Sequence, residues 1–270
     1  MPYERSLPYT EYVFGDSITG LTETSAGVRV DFRRGVSRDF GLVVGADGPH
    51  SNVRRLAFGP EEDYVSHLGY YAATWRLPKD LALEKGSVGY NVPGRLASVG
   101  ADHRDPVQAG AFFAFDGLGW EVPRLLASLR EVPELYFDSI SRADVDTWSK
   151  GRVCLVGDAA CGATIGGMGS GTALVAAYVL ACELARAQDN HRAAFTRYER
   201  GLRKYAEGCP AGGGRTGKFL APGTATGIRL RNTLLSRPLL QNGMLRLGER
   251  VSSTVTLPDH PAGLSRAGRR

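Results

Sequence analysis

A glycine-rich turn between an apolar strand and an apolar helix is the feature that most constrains the fold of this chain. The apolar run 153–156 predicts a buried strand of a parallel sheet. The run leads into Gly157 and Asp158, and six glycines fall within residues 157–171. The helix predicted over 172–187 is apolar nearly all round, so we expect it to be buried. A strand, a turn and a helix in this order indicate an α/β fold with a ligand at the carboxyl end of the strand.

The chemistry of this turn fits a nucleotide cofactor. A carboxylate at a strand end accepts hydrogen bonds from sugar-like hydroxyls, and a helix N-terminus offers free N–H groups to a phosphate or a ring edge. Glycine lets the backbone approach such a ligand closely. An aspartate that only caps a buried helix remains the alternative. The candidate cofactor-binding residues of this turn are Gly157, Asp158, Gly166, Gly167, Met168, Gly169, Ser170 and Gly171.

Three well-known glycine motifs do not match this segment. No Gly-Lys-Ser/Thr closes it as a P-loop, and Met168 and Thr172 stand two positions from Ser170, where a nucleophile elbow has glycines. Gly167-Met168-Gly169 begins like the dinucleotide fingerprint, but Thr172 stands where the last glycine belongs. The residues alone therefore leave the identity of the cofactor open.

A second strand and turn follow the apolar run 40–44, which predicts another buried strand ending at Gly45. Asp47 and Gly48 form a tight turn, and Arg54 carries a guanidinium suited to phosphate or carboxylate. Taken alone this pattern is common, and a plain turn is the alternative.

The segment between the two turns predicts an antiparallel sheet, because residues 64–120 alternate in polarity and show no helical period. An aromatic face of this sheet either lines an apolar ligand pocket or is simply core. Its candidate substrate contacts are Tyr71, Trp75 and Phe113. Further along the chain we expect a helix at 123–130, a strand at 136–140, a helix at 191–207, a glycine-rich break at 208–217 and a helix at 228–247 interrupted by Pro238.

Composition argues against several classes of function. The net charge is +5, and Phe219 is the one aromatic residue between Lys218 and Arg250 in the basic last quarter, which argues against nucleic-acid binding. The four cysteines and five histidines show neither C-x-x-C nor zinc spacing, so we expect no disulfide and no metal. The N-terminus does not resemble a signal peptide, and the longest apolar run has ten residues, so we expect a cytoplasmic protein without a membrane span.

The two turns, about 110 residues apart with a β-rich segment between them, resemble the motifs of group A FAD-dependent monooxygenases. Gly45-Ala46-Asp47-Gly48 matches the DG motif of this superfamily, and Gly157-Asp158-Ala159-Ala160 matches its GD motif. The superfamily includes para-hydroxybenzoate hydroxylase and the tetracycline-degrading monooxygenases, and the resemblance covers residues 10–205. We call residues 45–51 the DG turn and residues 157–163 the GD turn.

The resemblance implies a site and a reaction. Asp158 would bind the ribitol chain of FAD, the loop 166–171 would lie against its pyrophosphate or isoalloxazine, and Asp47, Gly48 and Arg54 would belong to a turn that contacts FAD and NAD(P)H. Such enzymes use NAD(P)H and O2 to place one oxygen atom on a small apolar or aromatic substrate. No catalytic side chain and no oligomeric state follow from the sequence.

The resemblance also implies a fold: α/β, or α+β by segments, with an incomplete FAD-binding Rossmann-like domain, an inserted antiparallel substrate sheet and C-terminal helices. We expect four parts of the chain: residues 1–60 with the DG motif and residues 143–207 with the GD motif form the FAD-binding domain. Residues 61–142 form the substrate-binding sheet, and residues 208–270 form a C-terminal helical segment and tail. The family begins with a G-x-G-x-x-G segment that has no counterpart in this sequence, so we expect an N-terminally truncated member.

Two further departures from the family lie in the GD turn region, where Cys161 follows Ala160 and Ile165 stands near the place of the family's proline. A non-catalytic relic that binds an apolar ligand or a partner, and a related flavoenzyme such as a halogenase, remain alternatives to an active monooxygenase.

Overall fold

The computed structural model describes residues 2–81, 83, 85–100, 108–112, 119–163 and 169–237. Phe113, Gly166, Gly167 and Met168 lie outside the described residues. The helices are α1 (Pro2–Ser6), α2 (Asn52–Ala57), α3 (Val122–Ser128), α4 (Gly169–Ala187), α5 (His191–Leu220) and α6 (Ala225–Leu235). The strands are β1 (Ile18–Glu23), β2 (Val28–Phe32), β3 (Arg38–Phe40), β4 (Val43–Gly45), β5 (Val65–Arg76), β6 (Ser87–Val92), β7 (Arg95–Gly100), β8 (Gln108–Phe112), β9 (Leu135–Asp144), β10 (Ser149–Lys150), β11 (Val153–Leu155) and β12 (Cys161–Ala163).

The two strands that precede the glycine turns are neighbours in one sheet. The order of this sheet is β10-β11-β4, and β11 runs parallel to β4 with Val153 opposite Val43 and Leu155 opposite Gly45. Because parallel strands end at the same edge, the DG turn and the GD turn leave the sheet side by side. The expectation of parallel buried strands is confirmed, although the exposed side chain of Val44 shows that β4 is covered on one face only.

The apolar run 40–44 is not one strand. Phe40 ends β3, which belongs to an antiparallel sheet of order β1-β2-β3, whereas β4 begins at Val43 in the parallel pair. The chain changes sheets at Gly41 and Leu42. An apolar run reports burial but not hydrogen-bond partners, and for this reason the sequence pattern merged two strands.

The segment predicted to be an antiparallel sheet forms the largest sheet, with strand order β12-β9-β5-β8-β7-β6. All of its pairings are antiparallel, and β5 is its long central strand. β12, which follows the GD turn's aspartate, joins this sheet at its edge by pairing with β9. The GD turn and the largest sheet are thus hydrogen-bonded to each other.

The glycine-rich segment 208–217 does not break a helix, contrary to the prediction, because α5 runs without interruption through it. Glycine costs a helix only about 1 kcal/mol relative to alanine, and packing offsets such a cost. Gly217 lies against the ring of Tyr70, where an added Cβ would be 2.8 Å from Cε2. The expected divisions after residues 142 and 207 fall inside β9 and α5, respectively.

α4 is buried along one side. Ala176, Val179 and Leu180 lie in the main core with Phe195, Tyr198 and Leu202 of α5. Leu174, in contrast, is 70% exposed, so the predicted burial of this helix holds for one side only. Residues 170–187 are long and apolar enough to cross a membrane by length and composition alone, with a mean hydropathy of 1.2. In this structure their buried side packs in the core between β11 and α5.

Candidate cofactor site

The DG turn begins where β4 meets α2 at very close range. A Cβ on Gly45 would lie 2.8 Å from Leu155 Cδ2 and 2.9 Å from Val53 Cβ, so only glycine allows this packing. The Gly45 carbonyl accepts a hydrogen bond from the Val156 amide at 2.9 Å, which ties the start of one turn to the start of the other. Gly48 has a φ of +81°, a conformation that glycine adopts without strain.

The Asp47 side chain organises the DG turn from within. One carboxylate oxygen accepts a hydrogen bond from the Ser51 hydroxyl at 2.5 Å, and the other accepts from the Val53 amide at 3.0 Å. The Ser51 hydroxyl oxygen in turn accepts from the Arg54 amide at 2.9 Å and caps α2. Asp47 remains exposed and lines a cleft of about 650 Å³ beside β1 and β4.

Arg54 is fully buried and joins the two turns. Its Nη1 donates to the Ala159 carbonyl at 3.0 Å, and its Nη2 donates to the Pro49 carbonyl at 2.6 Å. Burial lowers the pKa of its guanidinium, while Glu61 and Asp47 act in the opposite direction. Since the guanidinium faces backbone carbonyls and has no exposed surface, its contribution to a cofactor site is to fix the relative position of the loops.

Asp158 is a half-buried carboxylate in the GD turn. It accepts no hydrogen bond from any residue that the structure describes, and burial raises its pKa above the ordinary value of 3.8. Gly157, just before it, has a φ of +64°, and a Cβ added to it would lie 3.0 Å from the Ala173 Cβ of α4. The short 3₁₀ turn Gly157–Ala159 thus holds a carboxylate at the strand end to which no described residue donates a hydrogen bond.

Gly162 makes room for this carboxylate. A Cβ on Gly162 would lie 2.1 Å from Asp158 Oδ1 and 2.8 Å from Cγ. α4 begins at Gly169, and Ser170 and Gly171 are exposed in its first turn. The structure therefore brings the predicted aspartate and the predicted helix start to the same strand end, as the sequence pattern required.

An exposed aromatic pair lies on the largest sheet. The rings of Tyr71 and Phe137 are stacked, with 5.6 Å between their centroids and 6° between their planes. Tyr71 is 46% exposed and Phe137 is 62% exposed. Tyr71 lies opposite Ser139, and Phe137 lies opposite Ala73, so both rings project from the same face. We call His67, Tyr71, Leu135 and Phe137 the aromatic surface.

Trp75, predicted as a third aromatic contact on this face, is 3% exposed and packs with Leu77, Val99 and Leu125 in a second core cluster. Its indole N–H donates to the Ser128 hydroxyl at 3.0 Å. Sequence reasoning did not single out Phe137, although it lies in a strand that was predicted. The period-two pattern of that strand carries the information, but only the register with β5 shows that Phe137 meets Tyr71.

Among the described residues no group of three or more His, Cys, Asp or Glu side chains is arranged to hold a metal ion. Cys154, Cys161 and Cys182 are free and buried. Burial raises the pKa of the Cys154 thiol to about 12, which leaves it uncharged and unreactive at neutral pH.

Two adjacent parallel strands that end in glycine turns, with a helix packed in the core after one turn and an antiparallel sheet paired to it, are typical of a nucleotide-cofactor-binding α/β protein. Comparison with known proteins narrows this class. No family model matches the sequence. A FAD-dependent monooxygenase of Sarocladium schorii is 31% identical over 96% of this chain and 69% of that protein. A flavin-dependent monooxygenase of Legionella longbeachae is 33% identical over 72% of this chain and 56% of its own length.

Solved structures agree with the sequence comparison. The crystal structure of the tetracycline destructase Tet(51) superposes with a TM-score of 0.79 and 27% identity, over 90% of this chain and 69% of that one. The chain belongs to the family of FAD-dependent monooxygenases. It spans about 61% of the length of an uncharacterised Mycobacterium tuberculosis protein to which it is 38% identical.

Proposed function

We propose that this chain forms the GD turn and the substrate sheet of a FAD-dependent monooxygenase that uses NAD(P)H and O2 on a small, planar, apolar or aromatic substrate. The observation that carries the proposal is the half-buried Asp158 carboxylate, which lacks a donor among the described residues. A half-buried carboxylate without a partner is costly, and a ligand that supplies hydroxyl donors relieves that cost.

The residues present fit the sugar-alcohol part of FAD. Asp158 accepts hydrogen bonds from ribitol hydroxyls, and the glycines at 157 and 162 keep its surroundings free of side chains. The amides at the start of α4, from Gly169 to Gly171, supply donors for the pyrophosphate or the ring edge. The DG turn holds Asp47 and Gly48 beside this region. When bound, FAD supplies the electron transfer and oxygen activation that amino-acid side chains lack.

The position of the aromatic surface supports its role in substrate binding. Gly162 lies opposite Ala143 in the β12–β9 pair, and the Asp158 carboxylate lies where the Cβ of residue 162 would be. Residues 143 and 137 project from the same face of β9, because side chains alternate along a strand. Asp158 and the Tyr71–Phe137 pair therefore lie on one face of the sheet.

Planar apolar molecules gain the most from such a surface, because stacked rings bury large areas and align in parallel. A structural relative named for tetracycline supports a substrate of this planar type. Trp75 supports the surface from within the core, and Phe113, which follows β8 in the sequence, is proposed to extend it.

Titration of FAD against the purified chain tests the proposal through quenching of flavin fluorescence. We expect binding by the wild-type chain and a loss of at least about tenfold in affinity for Asp158→Asn, since one charge-assisted hydrogen bond contributes about 1.5–3 kcal/mol. Asp189→Asn, an exposed aspartate after α4, is the matched control and is expected to bind normally.

The proposed site is wrong if the wild-type chain binds no FAD, or if the Asp158→Asn variant binds FAD as tightly as the wild type does. If FAD binds, oxidation of NADH and NADPH by O2 in the presence of planar aromatic compounds tests the reaction itself. A halogenase would instead need chloride or bromide for product formation, which separates that alternative.

A further inference from the structure

The imidazole of His50 bridges two carboxylates on different elements. Its Nδ1 lies 2.9 Å from Glu61 Oε1, and its Nε2 lies 3.2 Å from Asp138 Oδ1. Carboxylates accept hydrogen bonds, so the two contacts are satisfied together only when both ring nitrogens carry a hydrogen. His50 is the penultimate residue of the DG turn, whereas Asp138 belongs to β9 of the largest sheet.

Each of the two carboxylates has a further polar neighbour. Behind Glu61 lies Arg54, with Nη2 at 3.9 Å from the carboxylate. Behind Asp138 lies the Tyr136 hydroxyl, which donates to that carboxylate at 3.0 Å. The contact with Glu61 is the largest cause that raises the pKa of His50 above 6.5, burial opposes it, and Asp138 adds to the increase.

Other charged groups around His50 belong to the walls of the neighbouring cleft. Asp47 and Arg55 come from the DG turn and α2, and Asp16 and Arg33 come from the opposite wall near β1 and β2. These four groups carry two positive and two negative charges, so their net effect is small beside the two carboxylates in direct contact with the ring.

The bridge ends one residue away from the aromatic surface. Asp138 directly follows Phe137, whose ring stacks on Tyr71, and the Asp138 carboxylate also accepts a hydrogen bond from the Ser139 amide at 2.7 Å. Because the two residues are consecutive in β9, a displacement of the Asp138 backbone also displaces Phe137. If the His50 ring loses one of its two protons, it keeps a single N–H donor. That donor can serve either the Glu61 or the Asp138 carboxylate, but not both.

We propose that His50 is a positioning residue that holds the DG turn against β9 while it is doubly protonated, and so fixes the aromatic surface relative to the cofactor-binding turns. The consequence of this positioning for substrate binding rests on the proposed function. The link between His50 protonation and the position of the aromatic surface does not need a flavin. Loss of the second proton releases the contact with Asp138, the longer of the two.

The test places 4-fluorophenylalanine at position 137 of the full chain without flavin and follows its ¹⁹F signal from about pH 5 to about pH 9. We expect one titration with a midpoint above 6.5, the ordinary value for histidine. The titration should vanish in His50→Gln, and its midpoint should fall in Asp138→Asn. His67→Gln is the matched control, because the His67 ring lies 4.8 Å from Tyr71 and is the other imidazole at this surface.

A ¹⁹F signal that does not titrate, or a titration that persists in His50→Gln and disappears in His67→Gln, overturns the proposal. The imidazole resonances of the unmodified chain provide a second measurement that does not require the His50→Gln variant to fold. There the His50 midpoint must lie above 6.5 and must fall in Asp138→Asn, and an unchanged midpoint contradicts the bridge. Since neither measurement includes flavin, their failure is distinct from a failure of FAD binding.

Discussion

The Arg54 guanidinium donates a hydrogen bond to the carbonyl oxygen of Ala159 across 3.0 Å, and 105 residues of sequence separate the two. The same guanidinium donates to the Pro49 carbonyl in its own turn. One buried cation thus holds the DG turn and the GD turn at a fixed distance. The relation explains why an arginine belongs at this position even though its charge does not reach solvent.

Replacing Arg54 with methionine should lower the free energy of unfolding by about 2–4 kcal/mol, because the buried Ala159 carbonyl and the part-buried Pro49 carbonyl lose this donor. Arg54→Lys should be nearly as destabilising, since an ammonium cannot span both carbonyls as the planar fork does. Urea unfolding of the chain without ligand measures both effects.

Arg55→Met is the control for this experiment. Arg55 is the exposed neighbour in α2, and among the described residues its side chain donates a hydrogen bond only to the Asn52 side chain. Its removal should change stability by less than about 0.5 kcal/mol. Equal effects of the two substitutions would show that Arg54 does not join the turns energetically.

The stability of the chain without flavin should increase in Asp158→Asn at neutral pH, by on the order of 1 kcal/mol, because a half-buried charge to which no described residue donates is removed. Burial raises the pKa of Asp158 in the folded chain above 3.8, so the folded state binds this proton more tightly than the unfolded state does. The ionised carboxylate therefore costs stability above the folded pKa, and the cost disappears as the pH falls through that value.

Unfolding measured at neutral pH and at successively lower pH tests this linkage. The stability difference between Asp158→Asn and the wild type should shrink on acidification, until both side chains are neutral. A difference that is constant with pH, or that grows on acidification, would contradict the assigned burial of the charge.

Gly162→Ala should displace the Asp158 carboxylate and reduce FAD affinity more than tenfold. The added Cβ would lie 2.1 Å from Oδ1 and also 2.9 Å from the Asp158 Cα, so rotation of the side chain alone cannot relieve the clash. Overpacking of this kind costs about 1–3 kcal/mol. Flavin fluorescence and urea unfolding report the two effects separately.

Gly201→Ala in α5 is the matched control, since nothing lies within 4 Å of its added Cβ and the site is exposed. It should stabilise the chain by about 0.5–1 kcal/mol through helix propensity and leave FAD binding unchanged. Normal flavin affinity in Gly162→Ala would mean that the carboxylate has room to move.

Tyr198→Phe should destabilise the chain by about 1–2 kcal/mol. The fully buried Tyr198 hydroxyl of α5 donates to the Leu155 carbonyl at 3.1 Å, and its loss leaves that carbonyl, at the end of β11, without this donor. Tyr9→Phe, at a residue that is 70% exposed, is the control and should have no measurable effect in the same urea titration. Equal stability of the two variants would show that the hydrogen bond from α5 does not stabilise β11, the strand before the GD turn.

Parts of this architecture follow directly from sequence. The apolar run before Gly157 and the apolar helix after the glycines are local patterns, and the structure has this strand and this helix nearly where they were predicted. The failures occur where local patterns carry no information about neighbours. Glycines 208–217 look like a break, yet the helix continues, because tertiary packing such as that of Gly217 on Tyr70 outweighs local propensity.

The candidate site shows the same division. Asp158 could be named as a candidate from sequence, because it lies directly between an apolar strand pattern and a run of glycines. The arrangement of His50 between Glu61 and Asp138 was not, because 88 residues separate His50 from Asp138 and neither residue lies in an unusual local pattern. The burial of Arg54 was equally hidden, since an arginine in a helix's first turn is usually solvated.

The sequence by itself determined the two strand–turn units and their side chains, because backbone preferences of glycine and apolar periodicity act over a few residues. Only the tertiary structure decided that the two strands are parallel neighbours, that Arg54 ties their turns together, and that Asp158 shares a sheet face with Tyr71 and Phe137. These relations depend on hydrogen-bond register and packing between segments that are far apart in the sequence. Such contacts form only when the whole chain folds, so no local pattern in the sequence reports them.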